Sequence, residues 1–317
     1  MELQSDNNFP LGPSYSGNTD VTTMETNLEI TALMTLVDDP DMEVYEQVRN
    51  RILHLGKAMV PYLEDLWERV PDDTVQERIE FLIHKLHFGE LQQDFGRWAS
   101  EPDPDLMEGA FLVSRYKFPD LNMTGYRSAL EKICKNIWLE LNHYLTPLEQ
   151  INIINKVLFS HHMFKGVEIS YSNQEDFLVH KLLDTRKGNS IPNGILYQTV
   201  CQMLNIHVRA IHIPRQFILA CFESDREGAQ PRTGTPKILF YIDPLSGQVY
   251  TQKDVDQYFK RISVQPEYIH FEPMHPRRII AFLIEEFAKC FDDEKSRHKH
   301  EELLGLGGIL LEGLSRS

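Results

Sequence analysis

With 317 residues, 42% of them hydrophobic, the chain is long enough for one large or two ordinary domains with a buried core. A formal net charge of −15 argues against a general nucleic-acid-binding role, because phosphate backbones call for a basic face. Four cysteines, Cys134, Cys201, Cys221 and Cys290, form no CxxC pair, so they read as reduced buried thiols and not as a zinc knuckle or disulfide framework. Met1–Glu29 has no basic region followed by an apolar run, and residues 1–27 read as a flexible polar tail. No apolar run approaches the ~20 residues of a membrane helix, so a soluble, cytoplasmic protein is expected.

From about Leu28 to Phe159 the apolar residues keep helical spacing. Leu33, Leu36 and Val37 mark a first helix, and Asp38-Asp39-Pro40-Asp41 breaks the chain and supplies cap oxygens. Val44, Val48, Ile52 and Leu55 mark a second, stopped at Gly56. Pro61 opens a third with Leu63, Leu66 and Trp67, ended by Pro71, and Arg78–Leu86 forms a fourth. Further helices are predicted at Asp105–Tyr116, Thr124–Asn142 and Pro147–Leu158. Thr146-Pro147-Leu148-Glu149 is a helix start, with Pro at the first helical position and Glu at the third. The acidic turn, the V-x3-V helix, the LG stop and the Pro-initiated second helix resemble a HEAT-type repeat, of which about one and a half copies are visible. Trp67, Trp98 and Trp138 fall among apolar positions and are expected in the core.

From about Ser160 the pattern changes. Asp176–Thr185 and Ser190–Leu204 read as helices, the second closed by Asn205 in a left-handed cap. His207–Ile213, Phe217–Glu223 and Ile238–Ile242 read as strands, and Ser224–Lys237, with its glycines and prolines, as a solvent loop joining a hairpin. Pro276–Phe291 and Glu301–Leu314 are predicted C-terminal helices. Helix followed by three strands gives an α+β unit, not a doubly wound sheet, and no GxGxxG or P-loop run is present. The expected division is a tail at 1–27, a helical domain at 28–158, a small α+β core at 159–275 and helices at 276–317.

Four segments carry the functional signal: Arg186-Lys187-Gly188-Asn189-Ser190-Ile191-Pro192-Asn193-Gly194-Ile195-Leu196-Tyr197, Leu204-Asn205-Ile206-His207-Val208-Arg209, Pro214-Arg215-Gln216-Phe217-Ile218-Leu219 and Tyr241-Ile242-Asp243-Pro244. In this order they resemble the bacterial SirB-type family with a transglutaminase-like, papain-type core. Its pattern runs R-x-G-N-[PC]-I-S, a helix, L-G-L-P, a strand, P-G-H-F, then D-P. The resemblance implies a Cys-His-Asp site in competent relatives. There a thiol at a helix N-terminus is favoured as thiolate, a histidine takes its proton, and a carboxylate orients the imidazole.

Carried over residue by residue, the cysteine position falls on Ser190, the histidine position on Gln216 and the aspartate on the retained Asp243. A glutamine amide accepts no proton near neutral pH, so Gln216 does no acid–base work. The expectation is a degenerate site and a non-catalytic binding or scaffold protein. The groove around Ser190, Gln216 and Asp243 would hold an unidentified protein or peptide, or a small polar ligand. The alternative is a hydrolase or acyl transferase using Ser190 with a relocated histidine, His212 or His180. His212 has the same parity as Gln216, which would put it on the same sheet face, although Pro214 interrupts the strand. A third reading is a structural interaction protein working through its helical face. Asp243-Pro244 also reads as an ordinary turn. Cys201 lies about 16 Å along the helix from Ser190 and reads as core. No cofactor or metal is expected. Glu80, His84 and His87 share a helix face suited to a metal, but read as a solvated face. His161-His162 and Arg297–His300 read as surface.

Overall fold

The structure is a computed structural model that describes residues 28–223 and 237–312. The expected tail at 1–27 and the expected loop at Ser224–Lys237, save its last residue, lie outside the described residues. The chain divides into two compact units, Met1–Glu90 and Leu91–Ser317, so the expected divisions at 158/159 and 275/276 fall within the second.

The first unit is helical: α1 (28–36), α2 (Met42–Leu55), α3 (Val60–Arg69) and the start of α4 (Asp73–Ser100). The Asp41 carboxylate accepts from the Glu43 N–H at 2.8 Å to start α2, and Gly56, at φ 73°, ends it. Leu33, Val37, Val48, Ile52, Leu63 and Ile79 belong to one buried cluster, as their spacing predicts. Trp67 is not in that core: it is exposed, and its indole N–H donates to the Glu80 carboxylate at 3.1 Å. Helix α4 has 28 residues, far more than the predicted Arg78–Leu86. Its interior glycines Gly89 and Gly96 look onto open space, and the apolar spacing resumes after Gly89 at Leu91, Phe95 and Trp98.

The second unit is α+β. It continues with α5 (Leu106–Arg115), α6 (Thr124–Trp138), α7 (Pro147–Asn155) and a π-helical turn at Lys156–His161. The expected helix start at Thr146 is a capping box. Thr146 Oγ1 accepts from the Glu149 N–H at 3.3 Å, and the Glu149 carboxylate accepts from the Thr146 N–H at 2.8 Å. Thr146→Ala is expected to lower the unfolding free energy by about 1 kcal/mol, read as a shift of the urea midpoint; an unmoved midpoint would show the cap to be idle. Helix α6 stops at Trp138, which is 66% exposed and therefore not core. The helix expected at Asp176–Thr185 is split at Leu178 into a 3-10 turn, Gln174–Phe177, and α8, Val179–Thr185.

Strands β1 (Lys165–Gly166) and β2 (Lys187–Gly188) form a short parallel pair before α9 (Ser190–Met203), which is followed by Asn205 at φ 55°. An antiparallel sheet follows in the order β3 (Val208–Ile213), β4 (Gln216–Phe222), β5 (Ile238–Ile242) and β6 (Val249–Tyr250). Helices α10 (Gln252–Ile262), α11 (Pro276–Ala288) and α12 (Arg297–Glu312) complete the chain. One sheet face buries Ala220, Phe222 and Tyr241 against Val255 and Phe259 of α10. On the other, α9 packs on β3 and β4, α5 on α9, and α11 on α5 and α12. No helix among the described residues is long and apolar enough to cross a membrane.

Candidate functional site

The start of α9 is built by its preceding residues. Arg186, at φ 63°, ends α8 in a left-handed turn and stacks its guanidinium 4.8 Å from the Phe164 ring centroid. Asn189 caps α9: its side-chain oxygen accepts from the Ile191 N–H at 3.0 Å, and its own N–H donates to the Asp176 carbonyl at 3.0 Å. The Asn193 amide donates to the Gly188 carbonyl at 2.6 Å. Ser190 is thus the first residue of α9, half-buried at the positive end of a 14-residue helix, where an anionic nucleophile is favoured. Its hydroxyl has no hydrogen-bond partner among the described residues.

Gly194 lies one turn beyond Ser190 on the same helix face. A Cβ there would overlap the Phe217 ring and stand 3.4 Å from Pro244 Cβ. The start of α9, the start of β4 and the turn after β5 therefore meet at Gly194. Two further ties hold them. Tyr197 donates its hydroxyl to Asn155 Oδ1 at 2.8 Å, and Asn155 Nδ2 donates to the Gly247 carbonyl at 2.7 Å. The Ala210 N–H donates to Gln198 Oε1 at 2.6 Å, which fixes α9 to the outer edge of β3. Sequence reasoning missed Asn155, Asn193 and Gln198. The signal for the last two was polar residues inside an apolar helix, where buried amides demand partners.

Gln216 is the first residue of β4 and is exposed. Phe217, its neighbour, faces α9, so alternation sends Gln216 to the α10 face. There it lines a cavity of about 370 Å³ with Ile213, Ile218, Tyr250, Tyr258 and Arg261. Asp243 follows β5 and closes a turn: Oδ1 accepts from the Leu245 N–H at 3.0 Å and Oδ2 from the Ser246 hydroxyl at 2.7 Å. The Gly247 N–H donates to the Asp243 carbonyl at 2.8 Å. Both carboxylate oxygens serve the turn, the structural role open to Asp243 from the start.

His212 pairs across the hairpin with Phe217, and Ile213 with Gln216. The two-residue turn Pro214-Arg215 pairs residues of unlike parity, so His212 lies on the Phe217 face and not on the Gln216 face expected from its number. Its ring centroid is 5.0 Å from that of Phe282, and burial, with Arg278 and His270 nearby, holds its pKa down. His180 is 3% exposed and meets Phe118 edge-on at 4.8 Å; burial pushes its pKa down to about 4. Neither imidazole hydrogen-bonds Ser190. Burial raises the Cys201 thiol well above its usual range and pushes Cys134, Cys221 and Cys290 up to about 11, so the described cysteines are held as thiols. Among the described residues no group of three His, Cys, Asp or Glu is placed to hold a metal ion, Glu80, His84 and His87 included.

A helix start packed on the first residues of an antiparallel hairpin, with an Asp-Pro turn beside it, is a transglutaminase-like arrangement. The profile of the transglutaminase-like superfamily matches residues 124–284, half of the chain, and the chain belongs to that superfamily. Mouse F-box only protein 21 is 32% identical over 107 residues, 33% of this chain and 16% of that protein. Human F-box only protein 21 is 22% identical over 200 residues, 55% of this chain and 31% of that protein. A UPF0162 protein of Vibrio cholerae serotype O1 is 22% identical over 148 residues, 47% of this chain and 51% of that protein. The chain thus spans from about a sixth to about half the length of these relatives. No solved structure matches.

Proposed function

We propose that this chain is a cytoplasmic, non-catalytic binding or scaffold protein on a SirB-type transglutaminase-like core, with HEAT-like helices at 28–158 as an added partner surface. The observation that carries the reading is the separation of the three triad-equivalent positions. Ser190 has no imidazole in hydrogen-bond reach, Gln216 looks onto the opposite sheet face, and Asp243 is occupied by its own turn. A serine hydroxyl without a base is a poor nucleophile at neutral pH, and loss of proton transfer alone costs on the order of 10²–10⁴-fold in rate. The retained scaffold then serves to present a peptide or small polar ligand to the cavity beside Gln216.

The test is turnover. The purified chain, incubated with peptide amides and activated esters, is expected to give no rate above background, and Ser190→Ala is expected to change nothing. A rate that Ser190→Ala abolishes would establish the rival reading, a hydrolase or acyl transferase working from Ser190 with a relocated histidine.

A further inference from the structure

A second cavity, of about 430 Å³, lies between the outer edge of β3 and the start of α11, and His212, His270, Glu272, Met274, His275 and Arg278 are among its lining residues. The Met274 N–H donates to the Ala210 carbonyl at 2.8 Å, so the segment leading into α11 runs along β3 as its cover. A smaller space of about 110 Å³ shares His212, Met274 and Arg278 with this cavity and is completed by Ala281, Phe282, Glu285 and Leu311. A nitrogen-rich mouth and an apolar recess therefore meet at His212 and Arg278.

The hydrogen bonds decide what the imidazoles offer. His270 Nδ1 accepts from the Glu267 N–H at 3.0 Å, and His275 Nδ1 accepts from the Arg277 N–H at 3.3 Å. A neutral ring that accepts at Nδ1 carries its proton on Nε2. Both rings thus present an N–H and not a lone pair, which suits an anion and excludes these two as metal ligands in this arrangement. His275 directs its Nε2 to the Pro102 carbonyl at 3.4 Å, which leaves His270 Nε2 as the one of these two donors not used among the described residues. The Arg278 side chain makes no hydrogen bond or ion pair among the described residues. Burial first, and the Arg278 charge second, disfavour protonation of His212.

We infer that this cavity binds a small organic carboxylate, its oxygens on Arg278 and His270 and its short apolar body against Met274, Phe282 and Leu311. The guanidinium fork matches the two oxygens of a carboxylate. A monoanion fits better than a dianion, because the one permanent cation of the lining shares the cavity with Glu272 and Glu285, and a second negative charge would meet both.

Benzoate is the probe. The full chain, labelled with ¹³C at its methionine methyl groups, is titrated while the Met274 signal, assigned with Met274→Leu, is followed. A saturable shift is expected, with inorganic phosphate at the same concentration producing none. Arg278→Gln is expected to weaken the dissociation constant about tenfold or more, because it removes a charged pair of donors. His270→Gln, which leaves Arg278 in place, is expected to weaken it less. No saturable shift by about 50 mM benzoate, equal binding of phosphate, or full affinity in Arg278→Gln with an unchanged circular-dichroism spectrum would each overturn the inference.

Discussion

Gly194→Ala is expected to destabilise the second unit by up to about 2 kcal/mol, although alanine is the better helix former. In an open helix position the exchange gains about 1 kcal/mol, because glycine loses more backbone freedom on folding. Here the new Cβ overlaps the Phe217 ring, which cannot retreat: it lies parallel to Phe282, with ring centroids 5.9 Å apart. Forcing a methyl group into such a contact costs about 1–3 kcal/mol, on the scale of overpacked cores. Gly89→Ala is the control. It sits in α4 with nothing within 4 Å of an added Cβ and is expected to be neutral or mildly stabilising. Urea denaturation of both variants decides the matter. If the two midpoints move together, the close approach of α9 to β4 is not a constraint, and the meeting of the three segments at Gly194 loses its energetic basis. If they diverge, the glycine is required because the helix bearing Ser190 must lie flat on Phe217 and Pro244.

What the sequence made legible was local. The Thr146 box, the Asp41 cap whose carboxylate accepts from the Glu43 N–H at 2.8 Å, and the left-handed Asn205 each depend on a few neighbouring residues. The α+β order and the three main strands were legible for the same reason, since alternation and turn residues report directly on a half-buried sheet. Helix α10 was missed although Val255, Tyr258, Phe259 and Ile262 keep helical spacing within an otherwise polar sequence. Its signal was the pair Thr251 and Asp254, a second capping box. Trp138 was misplaced because an aromatic residue at a helix end reads as core from spacing alone, whereas α6 ends at that residue. The sheet faces of His212 and Gln216 were not legible from numbering, because the face of each depends on how many residues the turn between them consumes.

A family pattern transfers residue types along a line, but chemistry needs them on one side of a sheet. The register His212 with Phe217 and Ile213 with Gln216 puts an aromatic ring, not an amide, against the helix that begins at Ser190. Phe282 lies parallel to that ring, with centroids 5.9 Å apart, so the α9 face of the hairpin start is aromatic.

Acidification is expected to cost about 3 kcal/mol of stability from His180 alone between about pH 6.5 and pH 4. The ring is buried against Phe118 and Tyr126, and desolvation lowers its pKa to about 4 from the 6.5 of a free imidazole. The unfolded chain therefore takes up a proton first as pH falls. The stability is fully present above about 6.5, declines through the interval, and declines no further from this group below about 4. Burial lowers His162 and His212 as well, so they act in the same direction. The carboxylates with lowered values, among them Glu149 and Asp254, act at lower pH, which leaves the window above about 4.5 to the imidazoles. His180→Phe keeps an aromatic ring beside Phe118 and removes the titration. Its unfolding free energy should fall more gently with pH than that of the parent, and the His180 ring proton in the parent should not titrate above about pH 5. Equal slopes in the two proteins would place the acid sensitivity elsewhere. Because α8 leads through Arg186 into the Asn189 cap, amide exchange near Ser190 is where local opening should first be seen as pH falls.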